Sequence, residues 1–234
     1  MRIFRFEHQG QRPKQEDSSY ISDDRSLFLV CDGVGGSHNG GEASKAIVEI
    51  IGKQYSMMAN ADFESSLKRL VVQANYQLFE LFNENKTAST TLVLVLIKED
   101  KAFITHLGDS KIFYIDKTKH EWWVSKDHSL VQELFEAGIL ETEREMKSHP
   151  LRNRITLSMN SDTLLAEDEI KINVVPKVNT GDIFILCTDG VLENITSDEM
   201  ADLFTNKPIE EAYLQLKSQC QENSKDNNTA IIIE

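Results

Sequence analysis

Short apolar runs broken by polar residues recur from one end of the chain to the other, in two distinct periods. Runs with alternating or continuous apolar residues predict strands at Ile3–Phe6, Ser18–Ser22, Leu27–Cys31, Thr91–Ile97, Ala102–Leu107 and Ile112–Asp116. Further strands are predicted at Glu121–Val124, Glu169–Val175, Ile183–Cys187 and Thr229–Ile233, with hairpin connections at Lys98–Lys101 and Asp116–His120. The helical period appears between the third and fourth strands. Ala43, Ala46, Ile47, Ile50 and Ile51 share one face; Phe63, Leu67, Leu70, Val71, Ala74, Leu78 and Leu81 share another, with Asp62 as N-cap. A helical insert from about His128 to Met146 carries Gly138 as a stop signal and Thr142 with Glu145 as a capping box. A last helix covers Ile209–Glu222. Hairpin-linked strands with helices bunched between them predict an α+β fold: two mainly antiparallel sheets packed face to face, with helices on both outer faces.

Composition narrows the classes of function. The 234 residues are 40% hydrophobic and 27% charged, the balance of a globular chain. No Pro- or Ser-rich linker divides them, so residues 1–234 are expected to form one domain. The longest apolar run, Leu92–Ile97, is far too short to cross a bilayer, and the N-terminus lacks the apolar core of an export signal. A net charge of −13 argues against nucleic acid or an anionic membrane as partner, yet allows a phosphorylated substrate where bound cations reverse the local sign. Cys31, Cys187 and Cys220 are scattered, with no Cys-x-x-Cys, which suggests a reducing cytoplasm and neither a zinc site nor a disulfide framework.

The candidate chemistry is carboxylate chemistry. Asp32 after "LFLVC", Asp109 in "THLGDSK", Asp189 in "IFILCTDG" and Asp226 in "SKDNNTAIII" each lie where an apolar strand begins or ends. One Asp-Gly is only a turn signal. If the strands are neighbours, however, the four carboxylates converge, repel one another, and must take up protons or cations. Oxygen ligands without His or Cys at ligand spacing point to Mg²⁺ or Mn²⁺. Gly33 can offer a carbonyl to such an ion, and Gly35, Gly36, Gly40 and Gly41 leave it room.

In order along the chain, "GQRPKQEDS", "VCDGVGG", "STTLVLVLI", "HLGDSKIF", "KDHSLV", "HPLRNRIT", "LCTDGV" and "DNNTAIII" resemble the motifs of the metal-dependent PPM, or type 2C, protein phosphatases. The likeness is strongest to the compact bacterial serine/threonine phosphatases, and it covers nearly the whole chain. It implies an αββα sandwich and hydrolysis of phosphoserine or phosphothreonine by a metal-activated water, opposing a serine/threonine kinase. By that resemblance Asp32 bridges two ions, Gly33 contributes its carbonyl to one, and Asp189 and Asp226 hold the other. Asp109 with Asp189 holds a weaker third ion, while Glu16 and Asp17 act through bound waters. Arg12 clamps the substrate phosphate, and His38 is the candidate general acid for the leaving group.

The sequence departs from the family pattern in several places. Val34 and Ser37 stand where a His is usual, Gln15 replaces Asn, Ser89 replaces Gly, Lys111 replaces Arg and Leu157 replaces Arg. The insert from about 128 to 165 corresponds to the family's flap. Its Glu141, Glu143, Arg144, Glu145, Lys147, Arg152 and Arg154 are explained as well by a solvated face as by substrate recognition. His128 and His149 read as braces of the flap, and Trp122-Trp123 as a core-and-rim pair. No cysteine is followed by Arg at the sixth position, which removes the cysteine-phosphatase loop. The competing class is a weak or inactive module of the same fold that binds phosphoproteins. A monomer is expected, with phosphoprotein substrates and a cognate kinase as partners.

Overall fold

Strands that are apolar on both faces must be covered twice, and the computed structural model, which describes residues 1–34, 39–58, 62–82 and 87–234 (without the side chains of Glu143 and Lys147), shows how this is done. The chain opens with β1 (Ile3–His8), β2 (Asp17–Ile21) and β3 (Leu27–Asp32), followed by helices α1 (Gly40–Tyr55) and α2 (Phe63–Leu81). Then come β4 (Ser89–Thr90), β5 (Leu92–Lys98), β6 (Lys101–Leu107), β7 (Lys111–Asp116) and β8 (Glu121–Val124). The flap contributes α3 (Leu130–Glu136), α4 (Glu143–Ser148) and β9 (Met159–Asn160). The remainder is β10 (Asn173–Val175), β11 (Ile183–Cys187), α5 (Ser197–Asn206), α6 (Ile209–Asn223) and β12 (Asn228–Ile233).

Among these residues, one five-stranded antiparallel sheet has the order β1-β12-β11-β7-β8 and the other β10-β6-β5-β3-β2. The two-residue period sorts side chains between layers. In β3, Leu27, Leu29 and Cys31 face α1 and α2, while Phe28 and Val30 face the second sheet. In β11, Ile183, Ile185 and Cys187 face α5 and α6, while Phe184 and Leu186 meet Phe28 and Val30 between the sheets. A fully buried Leu, Ile or Phe is worth about 1.5–3 kcal/mol over its exposed state, so these alternations fix the register strongly. The result is the expected αββα sandwich. Less deeply buried strands lie at the edges, as "DSSYI" in β2 and "EWWV" in β8 do. Trp123 packs against the inter-sheet core and Trp122 stays 38% exposed, the expected pairing of core and rim.

Four local outcomes differ from or extend the sequence reading. The strand predicted at Glu169–Val175 is confined to β10, because Glu169 instead closes a 3-10 turn by accepting from the Ala166 amide at 2.8 Å. The flap insert is two short helices, since Gly138 at φ +72° ends the first. Thr142 and Glu145 form the predicted capping box of the second. Helix α5 was not predicted, although Thr196 and Glu199 form a second capping box at its start. The flap base is fixed from α2: buried Asn75 donates to the Asn160 carbonyl (2.8 Å) and accepts from the Leu165 amide (2.9 Å).

Antiparallel pairing brings several strand ends to one edge. Asp17 at the start of β2 pairs with Asp32 at the end of β3, and Leu92 pairs with Leu107. Cys187 at the end of β11 pairs with both Lys111 of β7 and Ala230 of β12. Residues just beyond these ends, Asp109, Asp189 and Asp226, therefore share that edge.

Candidate metal centre

Asp32 is held by its backbone. Its amide donates to Thr91 Oγ1 (2.9 Å), and its carbonyl accepts from Thr90 Oγ1 (2.7 Å) and the Thr91 amide (2.8 Å). The "STT" element thus grips this residue from both sides. Thr91 Oγ1 also lies 2.7 Å from Ser110 Oγ, which couples Asp32 to the loop carrying Asp109. Gly33 continues the grip: its amide donates to the Glu16 carbonyl at 3.1 Å, and an added Cβ would stand 2.4 Å from the Gly40 carbonyl carbon. No other residue fits there without moving the start of α1.

Two further polar residues, Thr188 and Asn227, position the neighbours. Thr188 Oγ1 donates to Asp17 Oδ2 (3.0 Å) and accepts from the Thr229 amide (3.0 Å). Asn227 accepts from the Glu16 amide (2.8 Å) and donates to the carbonyls of Gln9 (2.7 Å) and Lys14 (2.9 Å), pinning the segment that carries Arg12. Gly190 packs so closely that a Cβ would lie 2.0 Å from the Asn227 carbonyl oxygen. Sequence reasoning passed over Thr188 and Asn227. The only signal was their place beside Asp189 and Asp226 inside the quoted motifs.

The carboxylates converge. Asp32 feels the charge of Asp17, Asp189 and Asp109, and its carboxyl lies within hydrogen-bonding reach of Asp189. Burial, then these charges, raise its pKa well above the ordinary carboxylate range. Asp17, only 5% exposed, is pushed up to about 7, first by burial. Asp109 likewise reaches about 7 through burial and the charges of Asp189 and Asp127. Asp189, whose residue surface still meets solvent, is raised to about 6 by the protein crowded around it and by Asp226. Asp226 is gripped by Arg12, with Nε 2.7 Å from Oδ1 and Nη2 2.5 Å from Oδ2. Glu16 lies half-buried beside Gly41. Catalytic candidate His38, with Gly35, Gly36 and Ser37, lies outside the described residues.

These side chains stand in pairs, Asp226 with Arg12, Asp17 with Thr188 and Asp32 with Asp189. Among the described residues, no three acidic, His or Cys groups close into a ligand cage. The donor chemistry nevertheless fits hard divalent cations. Every candidate is an oxygen, the carboxylates resist shared ionisation, and buried Asp17 Oδ1 finds no hydrogen-bond partner.

A pH dependence follows directly. Folded-state pKa values near 6–7 against about 3.9 in the unfolded chain mean that the metal-free fold binds protons more tightly. That stabilisation is complete below about pH 4 and is lost as pH rises through 6 to 7. Even about 2 kcal/mol corresponds to about 4–8 °C in a chain of this size. Chelated protein should therefore melt lower at pH 8 than at pH 5.5, and added Mn²⁺ should raise Tm more at pH 8. A Tm that is flat or rising over this interval in chelator contradicts the cluster.

Comparison with known proteins places the chain among phosphatases. The family model of protein phosphatase 2C matches residues 7–226. Protein phosphatase PhpP of Streptococcus pneumoniae is 29% identical over 189 residues, covering 78% of this chain and 74% of that protein. Serine/threonine phosphatase Stp of Listeria welshimeri is 25% identical, covering 99% and 94% respectively. The crystal structure of serine/threonine phosphatase Stp1 from Staphylococcus aureus superposes with a TM-score of 0.86 at 27% identity, covering 99% of this chain and 94% of that one.

Proposed function

This chain belongs to the protein phosphatase 2C family and is a metal-dependent protein serine/threonine phosphatase, and from that premise we propose how its residues carry the reaction. The observation that carries the reading is the meeting of Asp17, Asp32, Asp109, Asp189 and Asp226 at one edge of the sandwich, with the ionisation of the first four suppressed by burial and by neighbouring carboxylates. Asp32, the Gly33 carbonyl, Asp189 and Asp226 would hold two Mn²⁺ or Mg²⁺ ions, with Asp109 and Asp189 at a weaker third site. Divalent ions held there would neutralise the carboxylates and would supply Lewis acidity, lowering the pKa of water next to the substrate phosphate.

The chain's own side chains do the rest. Thr90 and Thr91 keep Asp32 from swinging away under repulsion, and Thr188 does the same for Asp17. Glu16 and Asp17 orient water around the ligands. Arg12 has two N–H groups set for a planar anion and takes the substrate phosphate. Its present partner is Asp226, in a pair whose side chains are 55% and 29% exposed. Such a pair is worth about 1 kcal/mol or less, so a dianionic phosphate can claim the guanidinium. His38 delivers the proton to the departing serine or threonine oxygen.

We read residues 1–234 as one domain, since strands of the two sheets are interleaved along the chain and β1 pairs with β12. No described helix is long and apolar enough to cross a membrane. A cytoplasmic location is consistent with three free, buried cysteines, and we read the protein there as a monomer opposing a serine/threonine kinase. The test is turnover of phosphoserine, phosphothreonine and phosphotyrosine peptides with and without divalent ions. Phosphoserine and phosphothreonine peptides should turn over only with metal, and phosphotyrosine peptides poorly. For Arg12→Ala, loss of a charge-assisted bidentate contact should raise KM for a phosphopeptide by about tenfold with a smaller change in kcat. An unchanged KM removes Arg12 from phosphate binding.

A further inference from the structure

The flap carries a stretch whose charge opposes that of the rest of the chain. From 146 to 161 the charged residues are Lys147, Arg152 and Arg154, all basic, in a chain of net charge −13. Arg152 and Arg154 are exposed, and no ion pair among the described residues engages either of them or exposed Arg144.

Backbone hydrogen bonds place this stretch beside the site. The His128 amide donates to the Gly108 carbonyl (2.9 Å), immediately before Asp109, and the His106 and His128 rings stack with centroids 4.6 Å apart. The Thr156 amide donates to the His128 carbonyl (2.9 Å), and the Leu130 amide to the Arg154 carbonyl (2.9 Å). The Arg152 and Arg154 amides close turns onto His149 (3.1 Å) and Leu151 (3.0 Å). The ladder therefore puts Thr156 about two strand spacings, ~10 Å, from the Gly108–Asp109 corner, with Arg154 two residues further along the same segment. An extended peptide covers that distance in about three residues.

We propose that Arg152 and Arg154 form a specificity subsite for acidic side chains about two to four residues from the phosphorylated serine or threonine. This rests on the phosphatase reading above and names its substrate class: phosphoproteins modified within acidic sequence. The net negative charge of the chain disfavours such substrates, and the flap turn offsets it locally. Guanidinium groups pair carboxylates bidentately, which gives the subsite its geometry.

The test compares kcat/KM for phosphothreonine peptides with Asp or Glu, or with Ala, at those positions on either side. It uses wild type, Arg152→Gln/Arg154→Gln and the charge-preserving Arg152→Lys/Arg154→Lys. Wild type should prefer the acidic peptide by about tenfold, through KM, with the preference shrinking in high salt. The Gln variant should reduce the ratio to within about twofold, and the Lys variant should retain most of it. Using a ratio within each variant cancels any general loss of activity. The proposal is overturned if wild type does not distinguish the peptides, if the Gln variant keeps the preference, or if only a doubly phosphorylated peptide is preferred. Metal-dependent hydrolysis of an aryl phosphate by wild type separates the two readings. Its failure sinks the phosphatase mechanism; its success without acidic preference sinks only the subsite.

Discussion

Asp32→Asn lowers turnover of a phosphothreonine peptide by about a thousandfold or more at saturating Mn²⁺, while the protein stays folded. Asn has nearly the shape of Asp, and the grip on this residue uses its backbone amide and carbonyl, which the substitution leaves in place. What disappears is one negative charge at the point where Asp17, Asp189 and Asp109 all act. A neutral amide cannot balance divalent cations there, and a loss of about 4 kcal/mol in transition-state stabilisation is about a thousandfold in rate. The same change relieves repulsion in the metal-free protein, so its Tm in chelator should be equal to or above that of wild type. The paired readout distinguishes lost chemistry from lost fold. A variant rate within tenfold of wild type would remove Asp32 from the centre of the mechanism.

Exhaustive chelation is the second large effect. Hydrolysis should fall to the uncatalysed background, again about a thousandfold or more, and return on titration with Mn²⁺ or Mg²⁺. The physical reason lies in the same carboxylates. Left to themselves they protonate, share protons or pair with Arg12, and none of those states activates water at neutral pH. Mn²⁺ should saturate at lower concentration than Mg²⁺, which gives up its water reluctantly. Activity surviving complete removal of divalent ions contradicts the mechanism. Metal binding detected by a Tm shift without turnover would instead favour the inactive-module alternative.

Much of this protein was legible along the chain because its signals are local. Two-residue alternation located the strands, the 3.6-residue period located α1 and α2, and Asp62, Thr142 and Glu145 marked helix starts that the structure contains. Asp residues at the beginnings or ends of apolar strands, four times over, named the carboxylates. The misses were local too: a 3-10 turn in place of the start of β10, and helix α5, whose Thr196–Glu199 capping box stood unused in the sequence.

The sequence by itself determined which residue types are buried, where chain direction changes, and which acidic groups stand at strand ends. Those depend on solvation and on neighbours a few residues away. Only the tertiary structure decided that Asp17 lies opposite Asp32, that Thr188 and Asn227 hold partners far along the chain, and that the flap's basic turn is joined through the His128 segment to Gly108. Antiparallel pairing sets those distances, through hydrogen bonds between segments as much as 232 residues apart. Repulsion among carboxylates begins only once the strands have brought them together.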